Sequence, residues 1–181
     1  LATFIMTMRG TPYYYNGDEL GMTNAGFTSI SDYRDMPTLN EYQNQKNTGG
    51  DIEKFIETIK NNSRDNGRTP FQWNDSINAG FGGGTPWIKV NPNYSIINAS
   101  AQETDPNSVL NYFRQIVKLR KENPILVYGR YTLLDKNNPD VYAYTRELDG
   151  KKLLVVLNFK STIAAVATTI DTSKAKVLLS N

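Results

Sequence analysis

The spacing of the apolar residues changes near Ile125, and this change predicts two kinds of structure in one chain. Before that point, apolar side chains recur every three or four positions, as in residues 109–120, which is typical of an amphipathic helix. After it, apolar and polar residues alternate, which is typical of half-buried strands. We therefore expect a largely helical first part over residues 1–123 and an antiparallel β domain over residues 124–181.

Capping residues and prolines mark the helices of the first part. Pro37 and Asp51 fit the starts of two helices, because proline costs no hydrogen bond in a first turn and aspartate is a good N-cap. Asp105 and Pro106 open a further helix in the same way, and Pro124 ends it. The predicted helices cover residues 1–8, 37–46, 52–62 and 106–123, and a short strand is predicted at residues 11–15.

The second part is predicted to consist of short strands. They lie at residues 128–134, 141–146, 152–159, 162–170 and 176–179. Asp149 and Gly150, between the second and third of these, form a dipeptide that favours a tight hairpin turn. This order predicts antiparallel pairing of consecutive strands.

The composition excludes several kinds of chemistry. The 181 residues contain no cysteine and no histidine, which rules out disulfides, thiolate nucleophiles, imidazole catalysis and the usual zinc sites within them. The net charge is +2 without a basic run, so we expect neither a nucleic acid nor a membrane as partner. We expect no metal and no cofactor, and the absence of cysteine favours a cytoplasmic location.

The run Ser-Arg-Asp-Asn-Gly-Arg-Thr-Pro-Phe-Gln-Trp at residues 63–73 contains the candidate binding residues. Arg64 and Arg68 flank a short polar stretch, and a proline and two aromatic residues follow. A guanidinium group holds two oxygens at once, so these arginines suit the binding of sugar hydroxyls or of a carboxylate. The alternative is an ordinary ion pair in a loop, which contributes little, with core aromatics beside it.

Other motifs of the first part of the chain are also candidates for a functional role. Trp87 and Tyr94, each near a proline, either stack on a sugar ring or fix their loop to the rest of the protein. Asp18 and Glu19 are adjacent, and we expect no catalytic role because neighbouring side chains usually diverge, whereas a glycosidase needs two facing carboxyl groups. The glycines at residues 80–84 lack the flanking elements of a phosphate-binding loop, so we expect a flexible rim loop.

These motifs resemble one enzyme family, the alpha-glucosidases of the alpha-amylase superfamily. The resemblance is to their C-terminal third, in the group of oligo-1,6-glucosidases, dextran glucosidases and trehalose-6-phosphate hydrolases, and it runs along the whole chain in order. The residues that carry it are the run at 63–73, Gly-Thr-Pro-Tyr-Tyr-Tyr-Asn-Gly-Asp-Glu-Leu-Gly-Met at 10–22, Asp-Tyr-Arg-Asp at 32–35, Asn-Ala-Gly-Phe at 78–81, Thr-Pro-Trp-Ile at 85–88 and Asn-Pro-Asn-Tyr at 91–94.

The resemblance implies an α/β part followed by an all-β part. Residues 1–123 would be the last portion of a (β/α)8 TIM barrel, with its eighth strand, substrate-side loops and closing helices, and residues 124–181 an incomplete antiparallel β-sandwich. Arg64 would contact the glucose in the innermost subsite, and Arg68 would lie nearer the pocket entrance. Pro37 replaces an acidic residue that contacts a second sugar in some relatives, so that contact is not carried over.

The resemblance also implies a function. It predicts part of a retaining, exo-acting alpha-glucosidase for short gluco-oligosaccharides or disaccharides, whose catalytic carboxylates lie upstream of Leu1. We therefore assign no catalytic residue here and expect the chain to be inactive alone. Because Leu1 is not an initiator methionine, we expect a piece of a longer polypeptide, with the missing N-terminal barrel segment as its partner. The alternative is a freestanding, non-catalytic carbohydrate-binding or interaction module.

Overall fold

The computed structural model describes residues 1–180, which form two compact units. One unit contains residues 1–13 and 113–180, and the other contains residues 14–112. No helix in the described part of the chain is both long enough and apolar enough to cross a membrane.

Helices make up the regular structure as far as residue 128, and strands follow. The α-helices are α1 (Ala2–Thr7), α2 (Met36–Thr48), α3 (Ile52–Asn62), α4 (Ala99–Thr104), α5 (Val109–Glu122) and α6 (Pro124–Tyr128). Short 3-10 helices lie at Asp18–Leu20, Ile30–Asp32, Arg64–Arg68, Ile77–Gly80 and Pro92–Ser95. The strands are β1 (Arg130–Leu134), β2 (Val141–Leu148) and β3 (Lys151–Asn158). The predicted change from helix to strand therefore occurs, but it falls after Tyr128 and not at Ile125, because α6 was not predicted.

α2 and α3 form where their capping residues indicate. The carboxylates of Asp35 and Asp51 each accept a hydrogen bond from the backbone N–H three residues further on, at 3.2 and 2.9 Å. Pro37 lies in the first turn of α2, as predicted. This helix extends beyond its predicted end until Gly49, whose positive φ of 73° closes it.

Two apolar clusters form the core of the unit of residues 14–112. α3 contributes Ile59 to the first cluster, which also contains Ala25, Phe27, Tyr33 and Ile88. The second cluster contains Leu20, Phe71 and Leu110. The apolar side chains of α3 therefore pack in a core, where each fully buried large apolar side chain contributes about 1.5–3 kcal/mol.

α5 begins at Val109, so the predicted start at Pro106 is wrong. Residues 105–108 form a turn in which the Asp105 carbonyl accepts a hydrogen bond from the Ser108 N–H at 3.1 Å. The Ser108 hydroxyl then accepts one from the Asn111 N–H at 3.2 Å, in the first turn of the helix. Short polar side chains offer the backbone such alternatives to a helix, which explains the later start. α4, which precedes this turn, was not predicted.

The short strand predicted at residues 11–15 is also wrong. These residues form neither helix nor strand. A strand requires a neighbouring backbone that satisfies its N–H and C=O groups, and the only sheet within residues 1–180 consists of β1, β2 and β3. The tyrosine-rich composition favoured a strand but supplied no partner for it.

β1, β2 and β3 form one antiparallel sheet in that order. Leu148 pairs with Lys151 across the turn at Asp149 and Gly150. Both turn residues have positive φ, 51° and 75°, which is what a two-residue type I′ turn requires and glycine tolerates best. The hairpin and the first three of the predicted strands are thereby confirmed.

The strands predicted at residues 162–170 and 176–179 are not formed. The first segment bonds to side chains instead: Asn138 Nδ2 donates to the Ala165 carbonyl at 2.9 Å, and the Ala167 N–H donates to the Asp135 carboxylate at 3.0 Å. Both segments are largely exposed. They therefore lack the half-buried, pleated surroundings that β-branched residues favour. The second layer of the predicted sandwich remains a prediction, and residue 181 lies outside the described residues.

Two arginines connect the sheet to the helices of the same unit. Arg146 on β2 is fully buried, and its guanidinium donates to the carbonyls of Thr7, Leu126 and Gly129 at 2.6, 2.9 and 2.8 Å. Arg120 on α5 also donates to Leu126, at 3.2 Å. These carbonyls lie at or near the ends of α1 and α6, where helices leave acceptors unsatisfied and favour cations.

Replacing Arg146 with leucine is expected to lower the free energy of unfolding by about 3 kcal/mol, because buried carbonyls lose their donor. Urea unfolding followed by circular dichroism measures the loss. The control is Arg130→Leu on β1, an exposed arginine paired with Glu147 at 2.8 Å. That change is expected to cost less than about 1 kcal/mol, and an equal loss in both variants would contradict the role given to Arg146.

Candidate functional site

The 3-10 helix Arg64–Arg68 brings the two predicted arginines to a shared set of carboxylates. Ser63 caps it, since the serine hydroxyl accepts a hydrogen bond from the Asp65 N–H at 3.2 Å. Side chains three residues apart lie on one face of such a helix. Arg68 Nη1 accordingly donates to Asp65 Oδ1 at 3.1 Å.

Asp35, from the start of α2, joins both arginines. Its Oδ1 accepts hydrogen bonds from Arg64 Nη2 at 2.7 Å and from Arg68 Nη1 at 3.0 Å. Its Oδ2 accepts from the backbone N–H and the hydroxyl of Thr38, at 3.2 and 3.0 Å. One carboxylate therefore caps a helix and holds two guanidinium groups, so the arginines belong to one network.

Asp65 fixes the backbone beneath this network. Its side chain is fully buried, and Oδ2 accepts hydrogen bonds from the backbone N–H groups of Arg34 and Asp35, at 2.7 and 2.9 Å. The bond from Arg68 satisfies its other oxygen. A buried carboxylate needs this many partners because its desolvation is costly. Asp65 thus ties the arginine helix to the segment that leads into α2.

The pKa values of Asp35 and Arg68 are both shifted toward the charged form. Burial alone would raise the pKa of Asp35, but the hydrogen bonds from Thr38 and the guanidinium groups of Arg68 and Arg64 outweigh burial and lower this pKa. Hydrogen bonds to Asp65 and Asp35 raise the pKa of Arg68. Both shifts strengthen the ion pair between Arg68 and Asp35, which lie 3.0 Å apart.

Each guanidinium group keeps N–H groups for a further ligand. Within residues 1–180, the carboxylates engage only Nη2 of Arg64 and Nη1 of Arg68. The Arg64 side chain is 62% exposed and the Arg68 side chain is 35% exposed. A guanidinium held on one side presents its remaining donors in a fixed plane, which suits adjacent oxygens of a ligand.

Arg68 lines an open groove of about 560 Å³. Phe71 and Ile88 line it with largely buried side chains, and Phe81 and Trp87 line it with exposed ones. Its volume lies within the usual range for small-molecule sites, about 300–1,000 Å³. Arg64 is not among the lining residues, so of the two predicted arginines only Arg68 borders the groove.

The loop of residues 78–84, several of which line the groove, is extensively hydrogen-bonded, and the flexibility predicted for residues 80–84 stays a prediction. Asn78 and Ala79 have positive φ, 54° and 59°, which costs a residue with a Cβ about 1–2 kcal/mol. The Ala79 carbonyl accepts a hydrogen bond from the Trp73 N–H at 2.9 Å. Asn78 Nδ2 donates to the carbonyls of Gly82 and Gly84, at 2.9 and 2.7 Å. These bonds offset the strain and fix the shape of the loop.

The remaining predicted candidates have other roles or positions. Asp18 Oδ2 accepts a hydrogen bond from the Tyr15 N–H at 3.2 Å, and Glu19 Oε2 accepts one from the Gly17 N–H at 2.8 Å, so both carboxylates bond to their own turn. Trp87 borders the groove, and Tyr94 does not. Within the described residues, no group of three or more acidic side chains is placed to hold a metal ion.

Sequence analysis did not identify Asp35 as the partner of both arginines. Asp35 precedes Arg64 by 29 positions and Arg68 by 33, so no local spacing reveals the contact. The available signal was an aspartate at the N-cap of a helix, which explains only one of its two oxygens. The contact of Asp35 with the two arginines is visible only in the folded structure.

Comparison with known protein families shows the family to which the chain belongs. Residues 1–129 match the alpha amylase catalytic domain, and residues 131–180 match the maltogenic amylase C-terminal domain. The chain therefore belongs to the alpha-amylase family, which confirms the resemblance found in its motifs. Its first part is a portion of the TIM-barrel catalytic domain, and its second part belongs to the C-terminal domain. The division between residues 123 and 124 remains a prediction.

Several relatives are similar along most of the chain. An oligo-1,6-glucosidase from Parageobacillus thermoglucosidasius is 52% identical over 160 residues, covering 88% of this chain and 28% of the relative. A trehalose-6-phosphate hydrolase from Bacillus subtilis (strain 168) is 45% identical over 185 residues, which cover 100% of this chain and 33% of the relative. The crystal structure of the isomaltulose synthase from Protaminobacter rubrum is 51% identical in sequence, with a TM-score of 0.85. The match covers 88% of this chain and 29% of the synthase chain. The chain thus spans 28–33% of the length of these relatives.

Asp35→Asn is expected to lower the free energy of unfolding by about 1–3 kcal/mol at neutral pH, because the arginines lose a charged acceptor. Since folding lowers the pKa of Asp35, its contribution is present above the ordinary aspartate pKa and is lost as pH falls through the lower folded value. The difference between the wild type and the variant should therefore begin to shrink as pH falls below about 4, and it should vanish only below the lowered folded pKa. Urea unfolding over a pH series tests this, and a difference that stays constant at acidic pH would contradict it.

Proposed function

We propose that the chain is the C-terminal portion of a retaining, exo-acting alpha-glucosidase that hydrolyses short gluco-oligosaccharides or disaccharides. The observation that carries this proposal is the pair Arg64 and Arg68, held by Asp35 with guanidinium N–H groups left exposed. The names of the similar oligo-1,6-glucosidase and trehalose-6-phosphate hydrolase support an alpha-glucoside as substrate.

In this proposal the two arginines donate hydrogen bonds to hydroxyl groups of the terminal glucose. Arg64 serves the innermost subsite, and Arg68 serves the side that borders the groove. Asp35 and Asp65 hold the guanidinium groups before a sugar arrives, so less conformational entropy is lost on binding. Recognition of a chain end by such contacts produces exo action.

The carboxylates that cleave the bond are proposed to come from polypeptide upstream of Leu1. Retaining hydrolysis uses two carboxyl groups about 5–5.5 Å apart, one as nucleophile and one as acid and base. Asp35 and Asp65 are engaged by arginines, so neither is offered as a nucleophile. We propose that the 181 residues are inactive alone and require the upstream barrel segment, consistent with their 28–33% share of the relatives. The cysteine-free composition supports a cytoplasmic location.

Transfer of glucose within sucrose is a second candidate function. The observation that favours it is the 50% identity to the isomaltulose synthase of Erwinia rhapontici NX5, a mutant of which was solved with D-glucose at a TM-score of 0.84. Both functions start from an alpha-glucoside and differ in the acceptor of the glucosyl group. The products formed from sucrose separate them: isomaltulose indicates transfer, and free glucose with fructose indicates hydrolysis.

Activity measurements on two proteins test the proposal. The full-length product of the source gene and the isolated 181-residue chain are each incubated with isomaltose, trehalose 6-phosphate and sucrose. We expect the full-length protein to release glucose from an alpha-glucoside and the isolated chain to release none. If the full-length protein releases no glucose while the isolated chain binds glucose at millimolar or lower concentrations, the result contradicts the proposal. It then favours the alternative, a non-catalytic carbohydrate-binding module.

In the full-length protein, Arg68→Ala is expected to lower kcat/KM about 10- to 100-fold, because a hydrogen bond from a charged donor contributes about 1.5–3 kcal/mol. Arg68→Lys should give an intermediate value, since lysine keeps the charge but loses the planar guanidinium. The control is Arg130→Ala, an exposed arginine of β1. Unchanged kcat/KM in a folded Arg68→Ala protein would exclude Arg68 from substrate binding.

A further inference from the structure

An asparagine followed by a glycine, Asn66 and Gly67, lies between the two arginines of the 3-10 helix. The chain contains two such Asn-Gly pairs, at residues 16–17 and 66–67. Glycine has no Cβ to shield its backbone nitrogen, so this nitrogen readily attacks the side-chain amide of the preceding asparagine. Asparagine is accordingly one of the thermolabile residues of proteins. The arginine helix therefore contains a chemically labile pair.

Hydrogen bonds hold both polar atoms of the Asn66 amide. Its Oδ1 accepts a hydrogen bond from the Ala25 N–H at 3.1 Å, and its Nδ2 donates one to the Lys60 carbonyl at 2.8 Å. The side chain thus connects the last turn of α3 to the loop that contains Ala25. Attack by the Gly67 nitrogen requires this amide to rotate toward the backbone, so both hydrogen bonds must break before the reaction can begin.

Gly67 also has a structural role, which explains why the labile pair is present. A Cβ added to Gly67 would lie 3.3 Å from Cε1 of Tyr15, so a larger residue would require the tyrosine ring to move. The packing of Tyr15 therefore favours glycine after Asn66. All of these contacts are made within residues 14–112, so they do not depend on what covers the surface of this unit.

We propose that Asn66 is a deamidation site that the folded arginine helix suppresses and that becomes reactive when the helix opens. The backbone nitrogen of Gly67 attacks Cγ of Asn66. A bond forms between these two atoms, the bond from Cγ to Nδ2 breaks, and the side-chain nitrogen leaves as ammonia with the proton of the Gly67 amide. Water then opens the resulting five-membered succinimide at either of its carbonyls, which leaves aspartate or isoaspartate at this position.

Either product disrupts the arginine helix. Aspartate replaces the Nδ2 donor with a carboxylate oxygen, which would face the Lys60 carbonyl as a second acceptor. Isoaspartate routes the backbone through the former side chain and adds one atom between Asp65 and Arg68, whose contact depends on their three-residue spacing. Deamidation therefore converts a reversible opening of the helix into a lasting loss of the site.

Peptide mapping by mass spectrometry tests the proposal on the full-length protein, incubated at one pH and temperature in buffer and in denaturing guanidinium chloride. In denaturant we expect Asn66 and Asn16 to deamidate at similar rates, because the same dipeptide is then unprotected. In buffer we expect deamidation of Asn66 to be about 10- to 100-fold slower, because two hydrogen bonds must break first. Equal rates for Asn66 in both solutions, or no reaction in denaturant, would overturn the proposal.

Two variants test the role of the helix. Ser63→Ala removes the hydroxyl that caps it, and should speed deamidation of Asn66 in buffer while leaving the rate in denaturant unchanged. The control is Ser29→Ala, which removes the serine cap of another 3-10 helix and should change neither rate. An unchanged rate in folded Ser63→Ala would contradict suppression by the helix, and if that variant does not fold, the comparison of buffer with denaturant decides.

The effect of the product is tested with Asn66→Asp, which should unfold at a lower guanidinium chloride concentration than the wild type. An unchanged midpoint would contradict the disruption of the helix by aspartate. None of these measurements depends on hydrolysis of an alpha-glucoside, so their failure and that of the proposed function are distinguishable.

Discussion

The buried carboxylates of Asp35 and Asp65 are the feature on which the rest of the candidate site depends. Asp65 accepts two backbone N–H groups and one guanidinium N–H, and Asp35 accepts two guanidinium N–H groups and both donors of Thr38. Buried ion pairs often fail to repay their desolvation, and they do so best when every oxygen is hydrogen-bonded. Here both oxygens of each carboxylate are satisfied, so the network fixes positions as well as charge.

The same network reaches the groove through Arg34. Its backbone N–H donates to Asp65, and its side chain donates to the carbonyl of Trp87. One residue therefore connects the arginine network to the tryptophan that borders the groove. The relative positions of Arg68 and Trp87 are therefore set by hydrogen bonds. Such pre-organisation is how a site on loops gains precision.

Local signals in the sequence predicted much of the fold. Asp51 capped a helix where expected, and Asp149 with Gly150 formed the hairpin, because caps and tight turns depend on a few adjacent residues. The failures included the start of α5, the unpredicted α4 and the strands at residues 11–15, 162–170 and 176–179. A strand depends on a neighbouring backbone, which no local composition specifies.

The candidate site, too, was predictable only where its signals are local in the sequence. The sequence identified Arg64 and Arg68 because their spacing and motif are local, and it left open whether they form an ordinary loop ion pair. It did not identify Asp35 as their partner, which lies 29 positions before Arg64. It also left two roles open for Trp87, whose side chain is exposed in the structure whereas the adjacent Ile88 is buried. Contacts between distant segments, not residue types, decide these cases.

A crystal structure of the full-length protein with a neutral, slowly hydrolysed alpha-glucoside tests the central claim most directly. The account predicts that N–H groups of Arg64 and Arg68 lie within about 3.2 Å of glucosyl hydroxyl oxygens while both guanidinium groups remain bound to Asp35. It also predicts that the catalytic carboxylates flanking the bond come from outside these 181 residues. A sugar bound away from both arginines, or cleaved between carboxylates of this chain, would contradict the account.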